Sequence, residues 1–104
     1  MTYGEMIHAR RKELGLTLEQ VARSIRSHKG YVSGIENGKV NPPSATITTR
    51  LSKALGLDLE RLLIIGHAEK APKKVRGIFL ELLEAYFAAD SDARPVSMSM
   101  AGVT

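Results

Sequence analysis

Apolar residues recur every three or four positions along most of this chain, in short runs separated by residues that stop helices. The first run follows Thr2 and Glu5, which have the spacing of a capping box. This pattern predicts a helix to about Leu14, stopped by Gly15. Its inward face is expected to comprise Met6, Ile7 and Leu14. No segment is a β-strand candidate of useful length, so the pattern predicts an all-α fold.

The next two predicted helices are short and lie close together. A second capping box, Thr17–Gln20, opens helix 2, which runs to about Ser24. Either Ser27 or His28 caps helix 3, which ends at Asn37–Gly38. The two helices carry inward apolar residues with a small residue, Ala22, at their crossing: Leu18, Val21, Ala22 and Ile25, then Tyr31, Val32 and Ile35. This arrangement is typical of a helix-turn-helix unit, whose second helix has one face free to enter the major groove of DNA.

Three more helices are predicted after a loop over residues 39–43. Ser44 caps helix 4, which Gly56 ends, and Asp58 caps helix 5, whose end is predicted at Gly66. The residues expected to face inward are Ile47, Leu51, Ala54 and Leu55 in helix 4, and Leu59, Leu62, Leu63 and Ile65 in helix 5.

The sixth predicted helix carries a continuous apolar stripe. Pro72 is well placed at a helix start, and the helix is expected to run to about Ala89. Its stripe consists of Val75, Ile78, Phe79, Leu82, Leu83, Tyr86 and Phe87. This stripe either folds back to complete the core or pairs with the same helix of a second subunit, and we favour the homodimer. The predicted organisation is a DNA-binding domain over residues 1–66, a dimerisation helix over 72–89, and a flexible tail over 90–104.

Positive charge is concentrated on the helix-turn-helix and the segment after it. The net charge is +4, but residues 20–53 contain six basic residues and one acidic residue, whereas residues 67–104 contain five of each. A face that binds phosphates requires this distribution.

Several classes of function are excluded by composition. The chain has no cysteine, so disulfides and thiolate metal sites are absent, and His8, His28 and His67 lie in different segments. No catalytic or cofactor-binding motif is present, and the expectation is therefore a protein without enzymatic activity, cofactor or metal. No apolar run has the length of a signal peptide or membrane span, which predicts a cytoplasmic protein.

Residues 6–63 resemble the Cro/C1-type (XRE-like) helix-turn-helix family of phage repressors and bacterial regulators. The matching motifs fall in order at the right spacing: Glu13–Thr17, Val21–Ala22, Tyr31–Ser33, Ile35–Lys39, Asn41–Ser44 and Lys53–Leu57. The resemblance implies a compact five-helix domain that binds operator DNA, usually as a dimer, with the sixth helix added at its carboxyl end.

The resemblance also implies roles for individual residues. Side chains at the start of helix 3 reach base edges, Asn37 and Lys39 touch the DNA backbone, and Arg11 and Glu36 form a buried ion pair. Arg23 and Arg26 either contact phosphate or only solvate the surface, and Tyr31 is expected mainly to pack near the boundary with DNA. The candidate DNA-binding residues are Arg23, Arg26, Ser27, His28, Lys29, Gly30, Tyr31, Ser33, Gly34, Asn37, Lys39 and Asn41.

The turn and the contact face depart from the family pattern. Arg26 occupies a turn position that often holds glycine, so it either adopts a left-handed conformation or the turn differs. Gly30 and Gly34 bring no side chain to the base-reading face. Direct readout would then rest on Lys29, with His28 or Ser33 adding a contact, and specificity is expected to be modest or to depend on DNA shape.

These observations predict a sequence-specific transcriptional regulator, with repression from a palindromic operator as the favoured output. The alternative is an antitoxin or another protein-interaction module that holds a partner protein through helix 6 and autoregulates its own operon. A small-molecule sensor is a third possibility, and its effector would have to bind in the region of helix 6.

Overall fold

The computed structural model describes residues 1–93, with side chains described through residue 89. Within that range the chain forms six helices and no strand: α1 (Tyr3–Glu13), α2 (Leu18–Ser24), α3 (Lys29–Glu36), α4 (Ala45–Leu55), α5 (Leu59–Glu69) and α6 (Lys73–Ala93). The all-α prediction is confirmed.

Local capping fixes where five of these helices begin. The side chain of each capping residue accepts a hydrogen bond from a backbone N–H of the first turn, which otherwise has no helical partner. The capping residues are Thr2, Thr17, His28, Ser44 and Asp58. Both predicted capping boxes form in full, at Thr2–Glu5 and Thr17–Gln20.

Helices α1 to α5 enclose the hydrophobic core. Its fully buried aliphatic residues come from all five helices: Ile7, Val21, Ile25, Val32, Leu51, Leu55 and Leu62. Tyr3, which the sequence pattern did not identify as a core residue, is also buried, and its hydroxyl lies 2.7 Å from Thr48 Oγ1. Burial raises the pKa of Tyr3 to about 12.

A close helix crossing holds α3 against α1. A Cβ on Gly4 would lie 2.3 Å from the carbonyl oxygen of Ile35 and 2.9 Å from that of Glu36. Because no side chain fits there, the last turn of α3 can rest directly on the backbone of α1. This close contact helps to set the angle between α3 and α1.

Two predicted helix ends are wrong. Helix α5 continues past Gly66 to Glu69, because that glycine is buried inside the helix, where a Cβ would lie 3.2 Å from Tyr3 Cδ2. Helix α6 extends to Ala93 rather than Ala89, so the first four residues of the predicted tail, 90–93, are helical. The rest of the predicted tail, residues 94–104, lies outside the described residues.

Two leucines predicted to face inward are instead exposed. Leu14 follows the last residue of α1 and is 42% exposed, and Leu63 in α5 is 37% exposed. Periodicity placed both near an apolar face, but Leu14 lies in the turn after α1, and Leu63 lies at the edge of the α5–α6 contact.

Candidate nucleic-acid interface

The turn between α2 and α3 has a tight, partly strained conformation. Arg26 has φ = 59°, which makes it the one residue other than glycine with a positive φ among the described residues. Of the two conformations that the sequence left open, the chain therefore adopts the left-handed one. The backbone N–H of Ser27 donates to Ala22 O at 2.9 Å, and Arg50 Nη1 donates to Ile25 O at 3.3 Å. Arg50, which sequence analysis counted only as a basic residue, thus braces this turn from α4.

His28 caps α3, which resolves the choice between Ser27 and His28. Its Nδ1 accepts a hydrogen bond from the backbone N–H of Tyr31 at 3.2 Å. A Cβ on Gly30 would lie 3.3 Å from that same nitrogen, so Gly30 leaves room for the capping ring. Because Nδ1 accepts, the neutral ring carries its proton on Nε2, which makes Nε2 a donor from an exposed side chain.

One face of α3 is open to solvent and lies opposite the core. Lys29, Gly30 and Asn37 are exposed and Ser33 is half-buried, whereas Val32 and Ile35 on the other side are buried. At 100° per residue, the four open positions span only about one third of the helix circumference. Asn37 Nδ2 donates to Ser33 Oγ at 3.3 Å, so these two polar groups are held together on the open face.

Gly34 has a packing role that the sequence did not reveal. A Cβ there would lie 3.3 Å from Val40 Cγ1, and Gly34 O accepts from the backbone N–H of Lys39 at 2.9 Å. Gly34 therefore lets the loop after α3 fold back on the helix, and this contact positions the exposed Lys39 and Asn41 beside the open face.

An inward-facing ion pair anchors the end of α3 to α1. Arg11 Nε donates to Glu36 Oε2 at 2.6 Å and Arg11 Nη2 to Glu36 Oε1 at 3.0 Å, while Arg11 Nη1 donates to Leu16 O at 2.9 Å. His8 Nδ1 lies 2.8 Å from Glu36 Oε1. Burial alone would raise the pKa of Glu36, but the hydrogen bonds from Arg11 and His8 outweigh it and lower that pKa.

Because the ion pair holds the carboxylate of Glu36 inward, it also affects the charge of the surface around α3. The side chain of Glu36 is only 5% exposed, yet it is the single acidic residue in residues 20–53. The basic side chains Arg23, Arg26, Lys29 and Lys39 are all exposed, and none forms a salt bridge within the described part of the chain. Residues 20–53 thus present exposed basic side chains and no exposed carboxylate, which favours phosphate binding.

Two candidate residues lie at the margin of this surface. Ser27 is half-buried in the turn, and Tyr31 is half-buried and packs against the core cluster. The rings of Tyr31 and His28 are tilted, with their centroids 6.4 Å apart. Tyr31 therefore lies where the core meets the open face of α3.

The structure divides the seven apolar residues of α6 between two faces. Leu83 and Phe87 are half-buried on the side that packs against α5, where the guanidinium of Arg61 lies 4.2 Å from the centroid of the Phe87 ring. The other five are exposed, and we call them the α6 stripe: Val75, Ile78, Phe79, Leu82 and Tyr86. One face of helix 6 thus completes the monomer and the other is uncovered within the described residues, so pairing with a second subunit stays a prediction.

Neither a metal site nor a membrane span is found in residues 1–93. No group of three or more metal-ligating side chains comes together in this part of the chain. None of its helices combines the length and the apolar character that crossing a bilayer requires.

Comparisons with known proteins agree with this geometry. A model of the helix-turn-helix family matches residues 7–62, which is more than half of the chain and ends within α5. The chain is also 32% identical over 91 residues to the HTH-type transcriptional repressor RghR of Bacillus subtilis (strain 168), an alignment that covers 82% of this chain and 67% of RghR. No solved structure gives a significant match.

Proposed function

Since the chain belongs to the XRE-type helix-turn-helix family, and is therefore a DNA-binding transcriptional regulator rather than an enzyme, we propose that it is a repressor that binds a palindromic operator as a homodimer. The observation that carries this proposal is the open face of α3, which lies beside exposed basic residues, while Glu36, the one acidic residue in residues 20–53, is turned inward.

In the proposed complex, α3 lies in the major groove. Lys29 is exposed in the first turn of α3 and can donate to guanine O6 or N7, while the exposed Nε2 of His28 and the hydroxyl of Ser33 offer further polar contacts. Arg26, Lys39 and Asn41 flank the helix and bind phosphates. Because few side chains reach base edges, part of the specificity comes from DNA shape.

The α6 stripe is the proposed contact between the two copies. Val75, Phe79, Leu82 and Tyr86 are spaced by four, three and four residues, which is the spacing of the apolar seam in paired helices. A second copy of the same helix presents the same spacing, so the two stripes can cover each other about a two-fold axis. Such a dimer presents two copies of α3 about 34 Å apart, or one DNA turn.

Such a dimer can repress transcription without a further domain or partner protein. A small dimer on an operator that overlaps a promoter blocks polymerase by occupying its site. RghR, with which the chain shares 32% identity, is named a transcriptional repressor.

Sedimentation of two matched variants tests the dimer. Leu82→Asp places a carboxylate in the α6 stripe, whereas Ala88→Asp places the same group at an exposed position on the opposite side of α6. We expect Leu82→Asp to shift the protein towards monomer and to weaken DNA binding in parallel, and Ala88→Asp to change neither.

Two results would contradict the proposed dimer. One is a wild-type protein that remains a monomer at micromolar concentration and binds duplex DNA as a monomer. The other is a Leu82→Asp variant with unchanged mass and DNA affinity. Transcription in vitro from a promoter that carries the bound sequence then tests repression, which a steady or increased transcript level would refute.

A further inference from the structure

Three exposed lysines surround the turn between α5 and α6. Lys70 follows the last residue of α5, and Lys73 and Lys74 are the first two residues of α6. We call these residues the lysine cluster. They lie outside residues 7–62, which match the helix-turn-helix family.

The lysine cluster has no carboxylate in salt-bridge contact within residues 1–93. None of the three forms a salt bridge there, and residues 70–76 contain four basic side chains and no acidic one. The nearest acidic residue along the chain, Glu69, is half-buried, and its Oε2 accepts a hydrogen bond from the backbone N–H of Tyr3 at 2.7 Å. His67 is the other titratable group on this part of α5, and its side chain is exposed.

The end of α5, which directly precedes the lysine cluster, lies against the loop that follows α3. A Cβ on Gly66 would lie 3.4 Å from Pro42 Cβ, and Glu69 lines a small cavity together with Gly38, Val40 and Pro42. The carboxyl end of α5 therefore packs on the same loop that carries Lys39 and Asn41.

Chain length limits how far the cluster can lie from that loop. Lys73 is four residues after Glu69, and a chain spans at most about 3.6 Å per residue, so their Cα atoms are within about 14 Å. That distance is less than half of one DNA turn of about 34 Å. The lysine cluster therefore lies within about 14 Å of Glu69, which itself lines a cavity together with that loop.

We propose that the lysine cluster binds DNA phosphates next to those contacted by the loop after α3, and so extends the DNA interface beyond the family domain. This inference rests on the docking of α3 proposed above. The bound group is the phosphate backbone and not a base edge, because α3 already occupies the major groove in the proposed complex.

The salt dependence of DNA binding distinguishes a contact of this kind from a solvated run of charge. Each phosphate contact adds about 0.9 to the slope of log affinity against log salt concentration. The test variant is Lys70→Gln/Lys73→Gln/Lys74→Gln in the full chain, and the probe is a 30-base-pair duplex of mixed sequence, since phosphate contacts do not require an operator.

Two exposed lysines that are not among the candidate DNA-binding residues provide a control. Lys12 and Lys53 are exposed near the carboxyl ends of α1 and α4, two ends that Arg10 joins by donating from Nε to Leu55 O at 2.7 Å. Lys12→Gln/Lys53→Gln therefore lowers the net charge without touching the proposed interface.

We expect the triple variant to lower the salt slope by about 2 to 3, and the control to leave it unchanged. Between 50 and 200 mM salt, the wild-type protein should accordingly lose about 16- to 64-fold more affinity than the triple variant. Circular dichroism should show the same helix content in all three proteins.

Two outcomes would overturn this inference alone. An unchanged slope in the triple variant would show that the lysines are solvated, and a decrease in the control in proportion to its lost charge would show a bulk charge effect. In either case Lys29→Ala would still weaken binding if α3 docks as proposed. A Lys29→Ala variant that binds like the wild type would count against the docking itself.

Discussion

Replacing Glu36 with Gln tests the contact that holds α3 at its angle to the core. The change keeps the size of the side chain but removes the charge that Arg11 meets with two hydrogen bonds, at 2.6 and 3.0 Å. Arg11 is then left buried, at 9% exposure, with Leu16 O as its remaining strong acceptor. Breaking a buried pair in this way costs about 3 kcal/mol of unfolding free energy, at the low end of the usual range because Gln still accepts one bond.

A second carboxylate on the same helix pair provides the control. Glu13 also meets an arginine, Arg10, at 3.3 Å, but its side chain is 67% exposed and the pair lies on the surface. Glu13→Gln should therefore change the free energy of unfolding by no more than about 0.5 kcal/mol. The two variants remove the same charge and differ in burial.

Urea unfolding followed by circular dichroism measures both variants. With a denaturant slope of about 1.5 kcal/mol/M, the Glu36→Gln midpoint should fall by about 2 M relative to the wild type. A Glu36→Gln midpoint within 0.3 M of the Glu13→Gln midpoint would refute the view that this pair holds α3 in place.

The same pair predicts a pH dependence with a definite sign. The pKa of Glu36 is lower in the folded chain than its ordinary value of 4.5, so the unfolded chain takes up the proton first as the pH falls. The stabilisation is complete above about pH 4.5 and is lost as the pH falls through the folded-state pKa. The stability gap between wild type and Glu36→Gln should therefore close below pH 4.5, and a gap that stays constant to pH 3 would contradict the assignment.

Three further substitutions follow from the backbone and from the open face of α3. Gly4→Ala should destabilise the fold by about 3 kcal/mol, because the added Cβ would collide with the Ile35 carbonyl. Gly77→Ala, whose Cβ would lie in open space, should stabilise α6 by up to about 1 kcal/mol. Equal thermal midpoints for the two variants would exclude the close crossing of α1 and α3. Arg26→Gly should raise the free energy of unfolding by about 1 kcal/mol, because glycine adopts a positive φ without strain. The same variant should lower DNA affinity several-fold, because it loses a proposed phosphate contact. A variant less stable than the wild type would show that the turn is not strained. Lys29→Ala should weaken operator binding by about 1–3 kcal/mol at a single base pair, while an equal loss on every sequence would make Lys29 a phosphate contact.

Helix starts could be read from the sequence because caps are local. Each capping side chain accepts a hydrogen bond from a backbone N–H no more than three residues away, as at Thr2, Thr17, Ser44 and Asp58. The sequence leaves the start of α3 open between Ser27 and His28, and the structure decides for His28, whose capping ring uses the room that Gly30 provides.

Long-range contacts explain the errors. Gly66 looks like a helix stop in the sequence, and only the ring of Tyr3, more than 60 residues away, shows that it is a packing position inside α5. In the sequence, Gly34 likewise looks like a base-reading position without a side chain, and only its contact with Val40 shows that it has a packing role.

The spacing of the apolar residues in α6 predicts a stripe, but it does not tell what packs against that stripe. Spacing alone does not tell which residues meet α5, so Leu83 and Phe87 were grouped with residues that the fold leaves exposed. In the sequence, Glu36 counts as a negative charge among the basic residues around it, and only its burial shows that its carboxylate is turned away from the surface.

Selection from a random-sequence DNA pool at near-physiological salt tests the central claim most directly. A dimer that reads sequence through α3 should enrich an inverted repeat whose half-site centres are about 10 base pairs apart. Binding that shows no enrichment and only falls with salt would contradict that claim, since it would mean that the open face of α3 does not read bases.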